Sequence, residues 1–339
     1  MPLEGQRPGN MKILVTGGAG YIGSHTVLEL LRSGHSVVVY DSLEKSTLDN
    51  LTKIRELTGT EIPFVKGNIL DKDLFSKTLQ DHKPEAIMHF AAYKNAGESV
   101  EKPSEYYQNN VVGSKIILDA MLDNGINKVI FSSTCAVYGN PEELPVTEKT
   151  PLDPISPYGK SKLMVERMLN DYQSAYGLNS VALRYFNAAG ADESGDIGEE
   201  TSSTANIIPL IIENLLGNRD EFLLFGDQFD TADGTQERDY IHVTDLARAH
   251  VKALDYLSDK DGYHFFNLGT GVPTSNKTLI ELGEKVSGMK LKYNVISPRE
   301  GDPEKIYAGP SKSEKELGWK AEFDIEDIIK TAWKWHSTK

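Results

Sequence analysis

The sequence is poor in cysteine, in basic residues and in long apolar runs. Cys135 is the single cysteine among 339 residues, which excludes an internal disulfide and favours a reducing compartment, for which we expect the cytoplasm. No apolar run approaches the ~18 residues of a membrane span, so we expect no membrane segment. Lys and Arg number 36 against 50 Asp and Glu, and the net charge of −14 disfavours nucleic acid as a partner. We also predict no metal site.

The first half of the chain alternates between apolar runs of strand length and helical segments. The runs are 12–17, 36–41, 62–67, 86–91, 128–133 and 180–186. The helical segments are 20–33, 71–82, 104–124 and 156–176. This rhythm predicts an α/β protein with a Rossmann-type, doubly wound parallel sheet.

The rhythm breaks after Asn187, where the sequence becomes polar, small and rich in glycine. We therefore expect a disordered extension at 1–10, a dinucleotide-binding Rossmann domain at 11–186 and a smaller mixed α/β domain at 187–339. The two domains should interleave around 236–270.

Three glycines lie between the first strand and the first helix, in "VTGGAGYIGSH". Gly17 permits a tight turn, Gly20 allows close approach of a pyrophosphate, and Gly23 lets the helix pack on the sheet. The helix N-terminus then offers free N–H groups to the phosphates. Asp41 ends the second strand, where a carboxylate accepts hydrogen bonds from ribose hydroxyls and repels a 2′-phosphate. The pattern predicts NAD as the cofactor; the alternative is a turn beside a surface aspartate.

Tyr158 and Lys162 are four residues apart at the start of a helical segment, which places them on one helix face. A free tyrosine has a pKa near 10, and a nearby cation would favour its phenolate by about two pKa units. A lysine and an oxidised nicotinamide ring together would bring the tyrosine near neutrality, so we interpret Tyr158 as a general base and Lys162 as a cation that lowers its pKa. The alternative is an interfacial tyrosine beside a solvated lysine.

The fifth strand ends in "FSSTCAVYG", and strand ends at the carboxyl edge of such a sheet are where ligands bind. Ser132, Ser133 and Thr134 should therefore lie beside the reacting centre, where a hydroxyl can bond a substrate oxygen. We interpret Cys135 as a small buried residue.

These motifs together resemble the extended short-chain dehydrogenase/reductase family, and within it the UDP-hexose 4-epimerases. The resemblance runs from Met11 to about His336 and is carried by "VTGGAGYIGSH", "HFAAYKNAGESVEKPSEYYQNN", "SPYGKSKLMVE", "LRYFNAAGA", "GTQERDYIHVTDLA" and "REGD". It implies NAD-dependent C4 epimerisation between UDP-glucose and UDP-galactose through a 4-keto sugar, and acceptance of UDP-N-acetylhexosamines as a further option.

The resemblance implies a role for named positions. Tyr158 would be the base, Lys162 its partner, and Thr134 the hydroxyl that bonds the reacting sugar oxygen. The cofactor contacts would be Gly17, Gly20, Tyr21, Ile22, Gly23, Asp41, Ser46, Asn68, Ile69, Phe90, Ala91, Lys94, Asn109, Ser132, Tyr158, Lys162 and Phe186. The UDP-sugar contacts would be Thr134, Asn187, Asn206, Phe225, Arg238, Arg299, Asp302 and Ile306.

Three positions depart from the family pattern. Asn68 replaces an acidic residue expected to accept from the adenine amino group, which should weaken that contact at most. Thr134 replaces the usual serine. Ile306 stands at a position that controls the space around the sugar's 2-substituent, where the family carries a bulky Tyr or a small residue.

Two other functions share the fold. Nucleotide-sugar 4,6-dehydratases carry Asp and Glu where this chain has Cys135 and Ala136, and a non-catalytic NAD-binding sensor would usually lose Tyr158 or Lys162. The resemblance also implies a homodimer, with segments 104–124 and 156–176 in a four-helix contact. The alternative is that those faces only cover the sheet.

Overall fold

The computed structural model describes residues 10–200, 206–298 and 303–339. Its strands are β1 Lys12–Thr16, β2 Ser36–Asp41, β3 Phe64–Lys66, β4 Ala86–His89, β5 Lys128–Ser132, β6 Asn179–Tyr185, β7 Asn187–Ala189, β8 Phe222–Phe225, β9 Glu237–His242, β10 Tyr263–Leu268, β11 Pro273–Ser275, β12 Tyr293–Ile296 and β13 Lys305–Ile306. Its α-helices are α1 Tyr21–Arg32, α2 Asp49–Thr58, α3 Lys72–His82, α4 Ala96–Glu101, α5 Pro103–Tyr106, α6 Gly113–Asp123, α7 Pro157–Tyr176, α8 Ile207–Leu215, α9 Val243–Asp259, α10 Asn276–Ser287 and α11 Ile325–Ser337.

The main sheet has seven parallel strands in the order β10-β6-β5-β4-β1-β2-β3. The predicted Rossmann-type α/β architecture is therefore confirmed. The chain progresses outward in opposite directions from β1 and β4, and this reversal opens a crevice at the carboxyl ends of the strands. The active-site candidates converge on that crevice.

Side chains of β1 alternate between two cores, as a strand covered on both faces requires. Ile13 and Val15 pack with Leu28 and Leu254, which come from α1 and α9. Leu14 points to the opposite core, whose other members include residues from α3, α6 and α7. Burial on both faces explains why these strands are continuous apolar runs.

A smaller unit surrounds β9. That strand pairs in parallel with β7 and β13 and antiparallel with β11, while β8 and β12 form a separate parallel pair. Helices α8, α10 and α11 cover a third core that includes Ile211, Leu224, Leu279 and Ile328.

Several elements differ from the sequence prediction. The predicted segment 104–124 is continuously helical, but it contains a π-helical turn at Tyr107–Val112 between α5 and α6, with helical backbone at both junctions. This turn buries Asn109 and Asn110. Helix α2 was not predicted, since only Asn50, Leu51 and Ile54 are buried and the apolar periodicity is weak. Strands β7, β11, β12 and β13 were missed, and they have at most four residues each. The six-residue strand β10, which pairs with β6 at the edge of the main sheet, was also not predicted.

Candidate active site

Helix α7 presents Tyr158 and Lys162 from its first two turns. The helix begins where the Ser156 hydroxyl accepts from the Gly159 amide at 3.1 Å, with Pro157 at the first helical position. Tyr158 is 9% exposed and Lys162 is 4% exposed. The two side chains therefore share one buried face, as their spacing predicts.

Lys162 is hydrogen-bonded to the backbone at the end of β5. Its Nζ donates to the Ser132 carbonyl oxygen at 2.8 Å and lies 4.8 Å from the ring centre of Phe131. Burial lowers the pKa of Lys162 to about 7, and the carboxylate of Glu166 opposes that shift. Lys162 therefore changes its protonation state near neutral pH.

Burial raises the pKa of Tyr158 well above its usual value, and Tyr185 adds to the rise, while a hydrogen bond with Thr134 opposes it. The predicted lowering of this pKa depends on Lys162 and an oxidised nicotinamide together, and it stays a prediction. The cost of burying a phenolate is the effect that the protein groups must be helped to overcome.

The hydroxyls of Ser132, Ser133 and Thr134, at the end of β5, point in different directions. Ser132 Oγ is 2.7 Å from the Tyr185 hydroxyl, and Thr134 Oγ1 accepts from the Ala136 amide at 3.1 Å. Ser133 instead donates to Glu166 at 2.5 Å. Only Ser132 and Thr134 therefore lie beside Tyr158 and Lys162, because successive side chains of an extended segment point to opposite sides.

The glycine loop is too tight for side chains. Gly17 has φ +72°, and a Cβ there would lie 2.6 Å from the Ala91 amide nitrogen. A Cβ on Gly23 would lie 2.2 Å from the Gly17 carbonyl oxygen. No side chain of the described residues caps the N-terminus of α1 at Gly20, and its first turn holds no acidic residue. The loop therefore fits an anionic group such as a pyrophosphate.

Asp41 lies at the end of β2, beside this loop. Its Oδ2 accepts from the Ala19 amide at 3.0 Å, and its Oδ1 accepts from the Leu43 amide at 2.9 Å and from the Ser46 hydroxyl at 3.0 Å. These bonds fix the carboxylate. Oδ2 keeps one lone pair for a ribose hydroxyl, whereas both lone pairs of Oδ1 are already used within the protein.

One pocket runs from the glycine loop to Tyr158. It is lined by every residue predicted to contact the cofactor except Phe186, which is buried with Val137, Tyr138 and Ile306. The Asn68 amide oxygen accepts from Leu70 at 2.9 Å, and Lys94 pairs with Glu199 at 3.2 Å. A phosphate cradle, a ribose carboxylate and a buried Tyr/Lys pair along one crevice fit an extended dinucleotide with its reactive ring beside Tyr158.

The sequence matches the NAD dependent epimerase/dehydratase family over residues 13–269. The chain belongs to that family. A UDP-glucose 4-epimerase of Rhizobium meliloti is 46% identical over 330 residues, which cover 97% of this chain and 98% of the relative.

Two solved structures extend the comparison. UDP-glucose 4-epimerase from Bifidobacterium longum, in complex with NAD+ and UDP, has a TM-score of 0.93 and 41% identity, and the match covers 96% of this chain and 98% of that one. The UDP-Glc/GlcNAc 4-epimerase from Campylobacter jejuni has a TM-score of 0.85 and 38% identity over 97% of this chain and 100% of its own.

Of the residues that the family resemblance assigns to a UDP-sugar, Thr134 follows β5 of the main sheet, while Asn187, Arg238 and Ile306 lie on strands of the smaller unit. Ile306 on β13 is the register partner of Arg238 on β9, and Asn187 on β7 is bonded to the Asp239 carbonyl oxygen at 3.1 Å. Asn206 donates to Glu199, and Phe225 ends β8. Arg299 and Asp302 lie outside the described residues. Pairing of the strands thus brings Asn187, Arg238 and Ile306 near one another, while Phe225 comes from a separate strand pair.

Sequence reasoning missed several residues that line this epimerase-family pocket, and Tyr185 and Glu199 are two of them with polar contacts to predicted site residues. Tyr185 lines it beside Ser132, and its position at the carboxyl end of β6 was a usable signal. Glu199 lines it as well and bonds both Lys94 and Asn206. It comes from an irregular polar loop, whose local pattern carries no such signal.

In residues 10–200, 206–298 and 303–339, no group of three or more His, Cys, Asp or Glu side chains is arranged to hold a metal ion. In the same ranges no helix is long and apolar enough to cross a membrane.

Proposed function

We propose that this chain is an NAD-dependent 4-epimerase that interconverts UDP-glucose and UDP-galactose through a 4-keto sugar. The observation that carries the proposal is the buried Tyr158 and Lys162 pair at the end of a dinucleotide pocket, in a chain that is 43–46% identical to UDP-glucose 4-epimerases over nearly its full length.

Tyr158 removes the proton of the sugar 4-hydroxyl, and Thr134 supports the same oxygen through its hydroxyl. When bound, NAD supplies a hydride acceptor for the sugar C4, a hydride donor for the ketone, and a positively charged ring. Tyr158 returns its proton to the C4 oxygen when the hydride comes back to the opposite face. The buried phenol needs positive charge nearby to ionise, and Lys162 holds such a charge in its protonated form.

The UDP group requires an anchor that stays fixed while the sugar turns over between the two hydride transfers. We assign this anchor to Asn187, Asn206, Phe225, Arg238, Arg299 and Asp302. A guanidinium fork suits diphosphate oxygens. Arg238 lies on β9, whose neighbours β7 and β13 carry Asn187 and Ile306, so the anchor belongs to the smaller unit rather than to the main sheet.

The rival dehydratase activity needs an acid and a base where this chain has Cys135 and Ala136. Burial raises the pKa of the Cys135 thiol to about 12, so it remains protonated near neutral pH. An alanine cannot transfer a proton. This environment favours epimerisation over water elimination.

The testing experiment incubates the purified protein with UDP-galactose and identifies the sugar. Formation of UDP-glucose supports the proposal, a 4-keto-6-deoxy product supports the dehydratase, and an unchanged sugar supports a non-catalytic sensor. The Tyr158→Phe variant, prepared in parallel, controls for a contaminating epimerase.

We infer further that the chain is a cytoplasmic homodimer. Val100, Val112, Ile155 and Met164 are exposed on or beside the helices α4 to α7. Pairing of these faces between two copies would remove apolar surface from water. The division into an NAD-binding domain and a UDP-sugar-binding domain is proposed in the same way. The interleaving of the two domains around 236–270 is supported by β10, which joins the main sheet although it follows β9 of the smaller unit.

A further inference from the structure

A buried ion pair lies directly behind the proposed catalytic residues. The Glu166 carboxylate accepts hydrogen bonds from Arg184 Nε, at 3.0 and 3.1 Å, and from Arg184 Nη2, at 2.5 Å. Both side chains are 2% exposed. Tyr263 donates to the same carboxylate at 3.0 Å, and Ser133 donates at 2.5 Å. The carboxylate therefore joins α7 to β5, β6 and β10.

Stability alone does not account for this arrangement, because a buried ion pair is often no more stabilising than apolar residues of the same volume. Its location is more informative. Ser133 stands between Ser132, whose carbonyl holds Lys162, and Thr134, whose hydroxyl bonds Tyr158. Glu166 is one helical turn beyond Lys162 on α7.

We propose that Glu166 is a positioning residue: with Arg184 as its support, it fixes Ser133 and so sets where Thr134 and the Ser132 carbonyl stand against Tyr158 and Lys162. The proposal rests on the epimerase function proposed above. Neither Glu166 nor Ser133 lines the cofactor pocket, so both act through their neighbours.

The charge of Glu166 has a second effect on Lys162. The titratable groups that face Lys162 are Tyr158 and Glu166 from its own helix, His89 from β4 and Tyr185 from β6. Burial lowers the pKa of His89 to about 3 and raises that of Tyr185 to about 12, so both are neutral near pH 7. Of these groups Glu166 is the one that raises the pKa of Lys162, and it thereby increases the protonated fraction of the lysine near neutral pH.

The first test compares Ser133→Ala with Ser180→Ala. Ser180 is a buried serine on the neighbouring strand β6, and its hydroxyl has no hydrogen-bond partner within the described part of the chain. Ser133→Ala should lower kcat on the order of 10-fold, because small misplacements of reacting groups are costly, and should leave KM for UDP-galactose and bound NAD unchanged. A kcat equal to that of Ser180→Ala overturns the proposal.

The second test measures the pH dependence of kcat in Glu166→Gln. Loss of the carboxylate charge should move the alkaline limb, where Lys162 loses its proton, to lower pH by about one unit. Ser133→Ala should leave that limb in place. An unmoved limb in a folded Glu166→Gln variant overturns the electrostatic part. If Glu166→Gln does not fold because Arg184 loses its partner, the Ser133→Ala comparison alone tests the proposal. Wild-type protein that converts no UDP-galactose overturns the proposed function instead.

Discussion

Tyr158 is the residue whose chemistry the proposed mechanism depends on most. Tyr158→Phe removes the proton acceptor and keeps the ring, so the fold and NAD binding should survive. Loss of a general base typically costs about 10²–10⁴-fold in rate. Steady-state kinetics with UDP-galactose would measure the loss. Tyr172→Phe on the same helix is the matched control, since its hydroxyl bonds Asp119 outside the pocket. A full kcat in Tyr158→Phe would remove Tyr158 from the mechanism.

Ile306 is the residue that we expect to influence which UDP-sugars the protein accepts. It is 5% exposed and packs with Val137, Tyr138 and Phe186. Because Ile is smaller than Tyr, we predict epimerisation of UDP-N-acetylglucosamine, slower than that of UDP-glucose. Ile306→Tyr should fill the space and lower kcat/KM for the acetamido sugar by about 10–200-fold, while plain sugars are spared.

The measurement is kcat/KM for both sugars in wild type, Ile306→Tyr and the volume-conserving Ile306→Leu. Thermal melts separate pocket effects from overpacking of this buried cluster. An equal loss for both sugars in Ile306→Tyr, or an inert acetamido sugar in wild type, would place the control of sugar size at another residue.

At the residue scale, much of the pocket could be predicted from the sequence, but the pKa shifts of its side chains could not. Gly17, Asp41, Tyr158 and Lys162 could be named because each follows from a local motif. The effect of burial on the pKa of Tyr158 could not be predicted, because burial depends on side chains that only the tertiary fold brings together. The same holds for Glu199, which meets its partners across the pocket.

At the scale of elements, the loop between β1 and α1 has the least freedom. A Cβ at Gly23 would lie 2.2 Å from the Gly17 carbonyl oxygen. Gly23→Ala should therefore displace the loop and remove bound NAD from the purified protein. Gly97→Ala is the matched control, because a Cβ there meets nothing closer than 3.4 Å. NAD released on denaturation and quantified by absorbance is the measurement. Full NAD content in Gly23→Ala would contradict the phosphate-cradle assignment.

The long parallel strands and their helices were predictable because each buries a continuous apolar run or a periodic face. The short strands around β9 were not, since their residues are held by pairing rather than by local pattern. Helix α2 was not predicted because it buries few residues, and the π-helical turn after α5 was not predicted because it depends on a contact from another segment. The turn is held by Asn110, which accepts from the Tyr93 amide at 2.9 Å, a contact that links distant segments.

At the scale of the whole molecule, buried histidines predict acid sensitivity. Burial lowers the pKa of His89 and His242 to about 3 and that of His250 to about 4. Their folded pKa values lie below the unfolded value near 6.5, so the stability they contribute is present above about pH 6.5 and is lost as the pH falls. At pH 5 each should cost about 2 kcal/mol.

The measurement is Tm at pH 7.5 and at pH 5.0 under constant ionic strength. We expect a clearly lower Tm at pH 5.0, although burial raises the pKa values of Asp239, Asp245 and Asp255 and so partly offsets the loss. An unchanged Tm would mean that these histidines are not buried in neutral form.

The central claim is that the hydride leaves the sugar C4 and returns to that carbon within one active site. The most direct test uses UDP-galactose deuterated at C4, purified protein, ordinary water and no added nucleotide or reductant. The account predicts UDP-glucose that retains deuterium at C4, observed by mass spectrometry and NMR. Product that carries solvent hydrogen at C4, or conversion only when external NAD is supplied, would contradict it.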